Sequence, residues 1–369
     1  MTKHDYKQNA YYLIYLIRCV LHNKIPAKEK LDKMNLTQLF QVDQTHSLSA
    51  ITAYSLESAG IYDKAFTEAK NKAIRKNIVL DVEREKVLSE LEKANIWYMP
   101  LKAIILKDYY PQIGMRQMAD NDILFDSSRR SDVRSIMEAS GFTTESFEKG
   151  NHDIYQKEPV LNFEMHISLF SDAGNSQLYK YYDNVKDRLI KEDNKDYKYK
   201  FTPEDFYIYI SAHEYKHFSK GGTGLRSLVD SYIILKNQSD NFDFNYVKIE
   251  LSKLGISEYE RKRRNLSLKL LDGVRVDEEE KQLLDHYIFS GTYGTIENSV
   301  HNSTDGTIGS KIRYTHKRLF LTMPQIKNSY PFFYKHKILL PALFFYRLGK
   351  MATKSRKRVV SEIKTLVRV

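Results

Sequence analysis

The chain has 369 residues, of which 42% are apolar and 28% charged, and its 27 Tyr and 18 Phe exclude a wholly disordered protein. The length exceeds that of one typical domain, and the single cysteine, Cys19, excludes an intramolecular disulfide and favours a reducing compartment. The net charge of +11 arises after residue 305, where fifteen basic residues accompany one acid, whereas residues 1–305 carry a net charge of −3.

The residues before 95 show helical periodicity only. Apolar side chains recur at helical spacing in 11–21 and 47–60, and the charged run 62–94 keeps one apolar face. The polar N-terminus lacks the layout of a secretion signal, and the longest late apolar run is too short to span a bilayer. We therefore expect an N-terminal helical region at 1–94 and a soluble, cytoplasmic protein.

A different pattern begins at residue 95, where short alternating runs replace the long periodic ones. Asp126 is placed to cap the start of one helix, and Gly141 follows its end. The segment predicts a small mixed sheet, and the chain is therefore predicted to be an α+β protein. Its predicted elements are strands at 96–99, 122–126, 144–149, 152–157 and 161–169, with helices at 101–110 and 127–140.

Helical patterns return after residue 173. The composition of 291–310, rich in Gly, Ser, Thr and Asn, predicts a mobile loop. The predicted domains are a core at 95–172, a helical domain closing a cleft at 173–290, this loop, and a basic helical tail at 311–369. The predicted helices of the third part are 176–192, 203–219, 223–237, 243–254, 256–272 and 277–289.

The tail ends in an apolar stripe at helical spacing, surrounded by basic residues. The stripe consists of Val359, Val360, Ile363, Leu366 and Val367. One interpretation is an amphipathic helix that lies on an anionic membrane surface. The other is a terminal helix that docks on the protein's own body and leaves its basic face in solvent.

Residues 213–217 spell H-E-Y-K-H, which matches the H-E-x-x-H pattern of helical zinc proteases. Such a site needs a third protein ligand, either His six residues on or Glu some twenty or more residues downstream. Position 223 is Thr, and no Glu lies between Glu214 and Glu250. The sequence therefore disfavours a zinc protease.

Two acids, Asp120 and Asp122, stand at the start of a predicted strand. Residues two apart in a strand point to the same side, so the two carboxylates lie side by side and repel each other. A bound Mg²⁺ ion would relieve this repulsion. Glu164 and His166 share one face of a later apolar strand, where a salt-bridged acid and a core histidine are the plainer interpretation. If the two strands are neighbours, three carboxylates converge on a two-metal centre for phosphoryl or nucleotidyl transfer.

Four short motifs follow one another between residues 101 and 166: Leu101-Lys102-Ala103, Tyr110-Pro111, Arg116 to Asp122, and Glu164-Met165-His166. Their order and spacing resemble the uncharacterised nucleotidyltransferase family of the polymerase-β-like superfamily, with its L-K-G, Tyr-Pro, R-x-x-x-D-x-D and E-x-H motifs. The similarity includes His46, His152 and the helices to about residue 240. The chain departs from the family at Ala103, which replaces a glycine, and at Asn121, which replaces an apolar residue.

The resemblance implies a nucleotidyltransferase that takes a nucleoside triphosphate as substrate and releases pyrophosphate. Asp120 and Asp122 would bind Mg²⁺ or Mn²⁺, and Glu164 would hold metal or accept a proton from the acceptor hydroxyl. Lys102 and Arg116 would neutralise the departing phosphates. His166 is counted with the nucleotide-binding residues.

The helix that carries H-E-Y-K-H also belongs to the resemblance, since family members have histidines there and an Arg and an Asp on the next helix. Arg226 and Asp230 match these two residues. At i, i+4 and i+7, His213, His217 and Lys220 share one helical face. That face either lines the phosphate side of the cleft or belongs to a polar hinge in which Asp230 pairs with Arg226.

The departures at Ala103 and Asn121 leave an alternative open, a non-catalytic module that binds a nucleotide or another phosphate ligand. Family members often accompany cell-surface polysaccharide genes, which implies a sugar or lipid-linked acceptor. Nucleic acid is not expected as a partner, because residues 1–305, with a net charge of −3, offer no basic stripe. The basic C-terminal helix predicts peripheral contact with a membrane.

Overall fold

The structure is a computed structural model that describes residues 1–238, 240, 242–292, 294–304, 307–353 and 356–368. It is an α+β protein in which a five-stranded mixed sheet is flanked by helices. The strands are β1 (Tyr98–Pro100), β2 (Asn121–Phe125), β3 (Thr143–Ser146), β4 (His152–Lys157) and β5 (Leu161–His166), and a separate hairpin contains β6 (Ile190–Lys191) and β7 (Tyr199–Lys200).

The helices before and within the sheet segment are α1 (Lys3–Leu21), α2 (Lys28–Leu31), α3 (Leu36–His46), α4 (Ser49–Ser58), α5 (Lys64–Lys93), α6 (Ala103–Leu106) and α7 (Arg130–Ala139). Those between the sheet and residue 303 are α8 (Ser176–Tyr181), α9 (Pro203–Phe218), α10 (Leu225–Gln238), α11 (Phe244–Lys253), α12 (Ser257–Asp272), α13 (Glu278–Ser290) and α14 (Ile296–Ser303). The tail contains α15 (Ile308–Leu319), α16 (Met323–Ser329), α17 (Pro331–Lys335), α18 (Leu340–Thr353) and α19 (Arg356–Arg368).

The strand order β1-β2-β5-β4-β3 makes β2 and β5 neighbours, as the sequence analysis required for its carboxylates to meet. These two strands are parallel, and their register places Asp122 beside Glu164. β4 runs antiparallel to β5 and places His152 beside His166. Since alternate residues of a strand face the same way, all four side chains lie on one face of the sheet.

The opposite face of β2 packs on the long helix α5. Ile123 and Phe125 join Leu80 of α5 in one apolar cluster. Asn121 is fully buried on this side, where its amide donates to the Leu80 carbonyl (3.0 Å) and accepts from Arg84 (3.3 Å). The polar residue that departs from the family pattern is therefore satisfied by hydrogen bonds.

Helices that precede the sheet segment and helices that follow it pack together in a second apolar cluster. Leu13 of α1 and Leu39 of α3 pack in it with Leu228 of α10, Leu266 of α12 and Leu284 of α13. The sheet segment is thus inserted between chain segments that pack together, and the domain boundaries proposed above remain predictions.

The predicted helix at 176–192 is wrong in its second half. Helix α8 ends at Tyr181, a 3₁₀ turn covers Val185–Arg188, and β6 begins at Ile190. The Tyr182 ring stacks on Phe170 with centroids 5.4 Å apart. This tertiary contact, together with the helix-breaking Asp and Asn that follow, ends the helix early.

The predicted mobile loop at 291–310 is also wrong in part, because α14 lies inside it; residues 293, 305 and 306 lie outside the described residues. Val300 of this helix is fully buried, and the Asn302 amide donates to the Phe218 carbonyl at 2.8 Å. The polar composition supplies specific hydrogen bonds here, and composition alone does not distinguish that use from disorder.

The turn between α9 and α10 depends on Gly224. A Cβ at this position would lie 2.7 Å from His46 Nδ1 and 2.8 Å from backbone atoms of Gly291 and Thr292. His46 Nδ1 accepts a hydrogen bond from the Leu225 backbone N–H at 3.2 Å. The glycine-rich stretch 221–224 is therefore an interhelical turn, and His46 supports it from a buried position.

The five helices of the tail are short. Within the described ranges, no helix of the protein combines the length and the apolarity needed to cross a membrane. The longest of the five, α18, has 14 residues.

We expect the ion pair between Glu214 on α9 and Arg263 on α12 to be essential for stability. Arg263 has no exposed side-chain surface, and Ser211 is its second side-chain partner (2.8 Å). Glu214→Ala leaves the buried guanidinium without a countercharge and should cost about 3–5 kcal/mol of unfolding free energy, measured by urea unfolding. Glu258→Ala, which removes a pair with 75% of the acid exposed, is the control and should cost under about 1 kcal/mol. Equal urea midpoints for the two variants would contradict the expectation.

Candidate functional site

A cavity of about 510 Å³ separates the polar face of the sheet from helices α9 and α10. The sheet wall contributes the four residues that the strand register brings together, and Asp120 lies beside them. The helical wall contributes His213, Lys216 and His217 from α9 and Arg226 and Asp230 from α10. Residues 47 to 110 positions apart in the sequence thus face one another across a single cleft.

Asp122 is the most connected group of the sheet wall. One of its oxygens, Oδ1, accepts from Lys102 Nζ at 2.6 Å and lies 2.8 Å from His166 Nε2. Burial alone would raise the pKa of this carboxyl, but Lys102 and His166 outweigh it and hold the pKa well below the usual range. Asp122 is therefore ionised throughout the physiological pH range.

Lys102 reaches Asp122 through an unusual backbone conformation. Its φ of 49° and ψ of −118° lie in a region that non-glycine residues seldom occupy, at a cost of order 1–3 kcal/mol. The adjacent Leu101 N–H donates to the Asp122 carbonyl at 2.9 Å and fixes the turn beside β2. Burial acts to lower the pKa of Lys102, but the opposing effects, of which the charge of Asp122 is the largest, together outweigh it, and the net pKa is raised. Lys102 therefore keeps its proton and is paired with Asp122, a predicted metal ligand.

Asp120 has a carboxyl group whose ionised form is disfavoured by its surroundings. Burial, followed by the neighbouring charges of Asp122 and Glu164, raises the pKa of its carboxyl to about 6. The two lysines near it, Lys102 and Lys76, lower that pKa only partly. The three carboxylates therefore carry more negative charge than the adjacent ammonium groups neutralise.

His152, Glu164 and His166 form a second group of converging donors. Glu164 Oε2 lies 3.5 Å from His166 Nε2 and 3.9 Å from His152 Nε2, and one ligand atom from each residue falls within 4.8 Å of the others. This group could hold a metal ion. Only the family resemblance points to His152 in the sequence, because its place beside His166 depends on a strand register that no local pattern reveals.

Arg116 borders the cavity but is engaged within the protein. Its Nε donates to Asp230 Oδ1 at 2.7 Å, and the Tyr110 hydroxyl donates to the same oxygen at 2.6 Å. Arg116 and Tyr110 thus bracket one carboxylate oxygen of Asp230. The guanidinium predicted to face departing phosphates therefore joins α10 to the sheet segment.

The helical wall differs from its predicted composition at one lysine. His213, Lys216 and His217 line the cavity, whereas Lys220 follows the end of α9 and is not among the lining residues. A helix that ends at Phe218 cannot carry the predicted face on to residue 220. Lys216 was missed because it lies between the two histidines and was counted only as part of the H-E-x-x-H pattern.

Of the residues that α9 contributes to this wall, the charge is carried by lysine. Burial, with the nearby Lys102 ammonium, lowers the pKa of His213 well below the usual value, and burial with Lys216 lowers that of His217 to about 4. Both imidazoles are therefore neutral at pH 7, and the contact of His213 and His217 with phosphate remains a prediction. Burial and the charges of Lys102 and Lys220 lower the pKa of Lys216 to about 8, which leaves it mostly charged at that pH.

Glu214 excludes the zinc-protease arrangement. Its carboxylate is bound by the buried Arg263 of α12 and cannot act as a base toward a metal-bound water. The described residues contain a candidate metal group on the sheet wall, but none that includes the histidines of α9.

Comparison with known proteins adds a family to this geometry. A family model described as an uncharacterised nucleotidyltransferase matches residues 32–267, a range that contains the cleft from Lys102 to Asp230. Among solved structures, the chain is similar to an antigenic nucleotidyltransferase-like protein from Paracoccidioides brasiliensis, with 13% identity and a TM-score of 0.32 over 54% of this chain and 96% of that one. No curated protein matches the chain.

The raised pKa of Asp120 predicts a pH-dependent cost of folding. Its folded pKa of about 6 exceeds the unfolded value of about 4, so ionisation destabilises the metal-free protein increasingly from pH 4 to 6 and fully above pH 6. Asp120→Asn should therefore raise the melting temperature in EDTA at pH 8 by several degrees and leave it unchanged near pH 4. The exposed Asp183→Asn is the control, with no change at either pH. A rise at pH 4 as large as that at pH 8 would assign the effect to something other than charge.

Proposed function

The chain belongs to the uncharacterised nucleotidyltransferase family, and from that premise we propose that its cleft transfers a nucleotide from a nucleoside triphosphate to an acceptor hydroxyl. A bond forms between the acceptor oxygen and the α-phosphorus, the bond from that phosphorus to the bridging oxygen breaks, pyrophosphate leaves, and the hydroxyl proton passes to solvent. The observation that supports this proposal most strongly is the meeting of Asp120, Asp122 and Glu164 in a cavity with Lys216 on the facing wall.

The sheet wall fits a divalent cation. Its carboxylates are only partly neutralised, as the raised pKa of Asp120 indicates, and carboxylate oxygens are the ligands that Mg²⁺ and Mn²⁺ prefer. Asp120, Asp122 and Glu164 would hold the ion, and the nearby nitrogens of His152 and His166 would suit a transition metal such as Mn²⁺ better than Mg²⁺. When bound, the ion would polarise the α-phosphate and make the acceptor hydroxyl more acidic.

The charge states of Glu164, Lys102 and Lys216 suit these residues to different roles in the proposed reaction. Proximity to His166 lowers the pKa of Glu164, which suits this carboxylate to holding a cation better than to accepting a proton. Lys102 compensates the buried Asp122 and keeps it ionised. Lys216, charged at neutral pH and free of a carboxylate partner in the described contacts, is the group best placed to hold the departing phosphates.

We propose a hydroxyl of a cell-surface saccharide or its lipid-linked precursor as the acceptor class, which rests on the family resemblance. The alternative function is a nucleotide-binding module without catalysis. The pairing of Lys102 with Asp122 supports that alternative, because an ammonium at this oxygen partly supplies the positive charge that a metal would bring.

The first test measures NTP binding by calorimetry in Mg²⁺, Mn²⁺ or EDTA, followed by pyrophosphate release with a panel of saccharide, lipid-linked and RNA acceptors. Asp122→Asn removes the charge at the centre of the cluster and should lower the release rate on the order of 100-fold. Asp183→Asn should leave the rate unchanged. NTP binding without release across the panel would favour the non-catalytic module, and failure to bind any NTP would refute both functions.

The second test compares Lys216, inside the H-E-Y-K-H motif, with Lys220, four residues later in the sequence. Lys216→Met should weaken NTP binding about tenfold, since it removes a charge-assisted contact, whereas Lys220→Met, outside the lining, should change it less than about twofold. The affinity of the unmodified protein should fall as the pH rises through about 8, where Lys216 loses its proton, and that fall should be absent in Lys216→Met. Equal effects of the two substitutions would remove Lys216 from the phosphate site.

A further inference from the structure

The C-terminal tail, extended from the predicted 311–369 to residue 307 so that it contains all of α15, exposes an unusual amount of apolar surface. Among the described residues, 13 of the 25 large apolar side chains that are exposed belong to it. The three apolar clusters that form the core of the protein include no described residue of the tail. Exposed apolar surface concentrated in one segment indicates an interaction surface.

Helix α19 is oriented with its polar face inward. Glu362 and Thr365 are buried, and the Glu362 carboxylate accepts two hydrogen bonds from the Arg318 guanidinium, each 3.0 Å long. Val360, Ile363 and Val367, on the other face, are 43%, 54% and 79% exposed. The helix therefore does dock on the protein, but these three of the five residues of the predicted apolar stripe face outward, whereas Val359 and Leu366 are half-buried. The side chains of Arg356, Lys357 and Arg358 lie outside the described residues.

Helix α18 and the turn before it present a second apolar stripe. Ile338 is 92% exposed, and Phe345 and Leu348, at one helical repeat from each other, are 71% and 38% exposed. The exposed lysines 335, 337 and 350 flank this stripe. Helices α18 and α19 pack against each other, so both stripes belong to one part of the protein.

We propose that this surface docks on the headgroup region of an anionic lipid bilayer, as a peripheral contact. The tail has fifteen basic residues and one acid, Glu362, which is already paired with Arg318, so its charge is complementary to anionic lipid. Two copies of such a surface would repel each other, which disfavours self-association. A nucleic acid would satisfy the charge but not the exposed apolar side chains, whereas a bilayer interface satisfies both. The proposal does not depend on the nucleotidyl transfer proposed above.

The test is co-sedimentation of the 369-residue protein with two kinds of vesicle. One consists of phosphatidylcholine alone, and the other contains about one third phosphatidylglycerol. We expect binding to the anionic vesicles that weakens as salt is added, and little binding to the neutral ones. Lys335→Glu with Lys337→Glu should lower the partition coefficient at least about tenfold. Ile338→Ser with Phe345→Ser should lower it to a similar extent, because it removes the inserted side chains.

Two double substitutions outside the tail are matched controls. Ile25→Ser with Ile249→Ser removes apolar side chains that are 71% and 55% exposed, and Lys149→Glu with Lys248→Glu reverses two exposed charges. Both should bind vesicles as the unmodified protein does. The proposal is overturned if anionic vesicles are not bound, or if tail and control variants lose binding equally. It is also overturned if the tail instead forms a dimer in sedimentation velocity, or binds RNA in a way that the apolar substitutions do not change.

Discussion

The buried carboxylate of Asp122 is the charge around which the sheet wall is organised. A carboxylate removed from water is costly unless it is paired, and here a lysine from the strained turn after β1 and a histidine from β5 converge on one oxygen. The turn conformation at Lys102 and the parallel pairing of β2 with β5 are both needed for that convergence. Folding of the core and assembly of the candidate site are therefore the same event.

A second polar contact fixes the distance between the two walls. Tyr110 and Arg116, from the segment that leads into β2, both donate to Asp230 of α10, and all three side chains are buried. The tyrosine and arginine of the family's motifs are thus parts of a bracket that spans the cleft. Both residues therefore have a structural role at the edge of the cavity, and the role of Arg116 toward departing phosphates remains a prediction.

Local patterns in the sequence predict those features of the candidate site that depend on residues close together in the chain. Alternation along a strand is enough to place Asp120 and Asp122 on one side, and most helices were predicted within a few residues, because both depend on neighbours in sequence. His152 and Lys216 were missed as site residues for a different reason. The first depends on the register between two strands, and the second on where α9 ends and which of its faces meets the sheet, so both are set by tertiary packing.

The two walls of the cleft carry opposite charge, and this asymmetry has a consequence for any ligand. The carboxylates of the sheet wall repel a free triphosphate, and the lysine of α9 opposes a free cation, while the neutral histidines between them add no charge to either side. A nucleoside triphosphate that arrives with its divalent ion presents positive charge to one wall and negative charge to the other. Each component lowers the electrostatic cost of binding the other, so within the proposed function the metal and the nucleotide bind with positive coupling, and the size of that coupling is set by the low dielectric constant of the buried cleft.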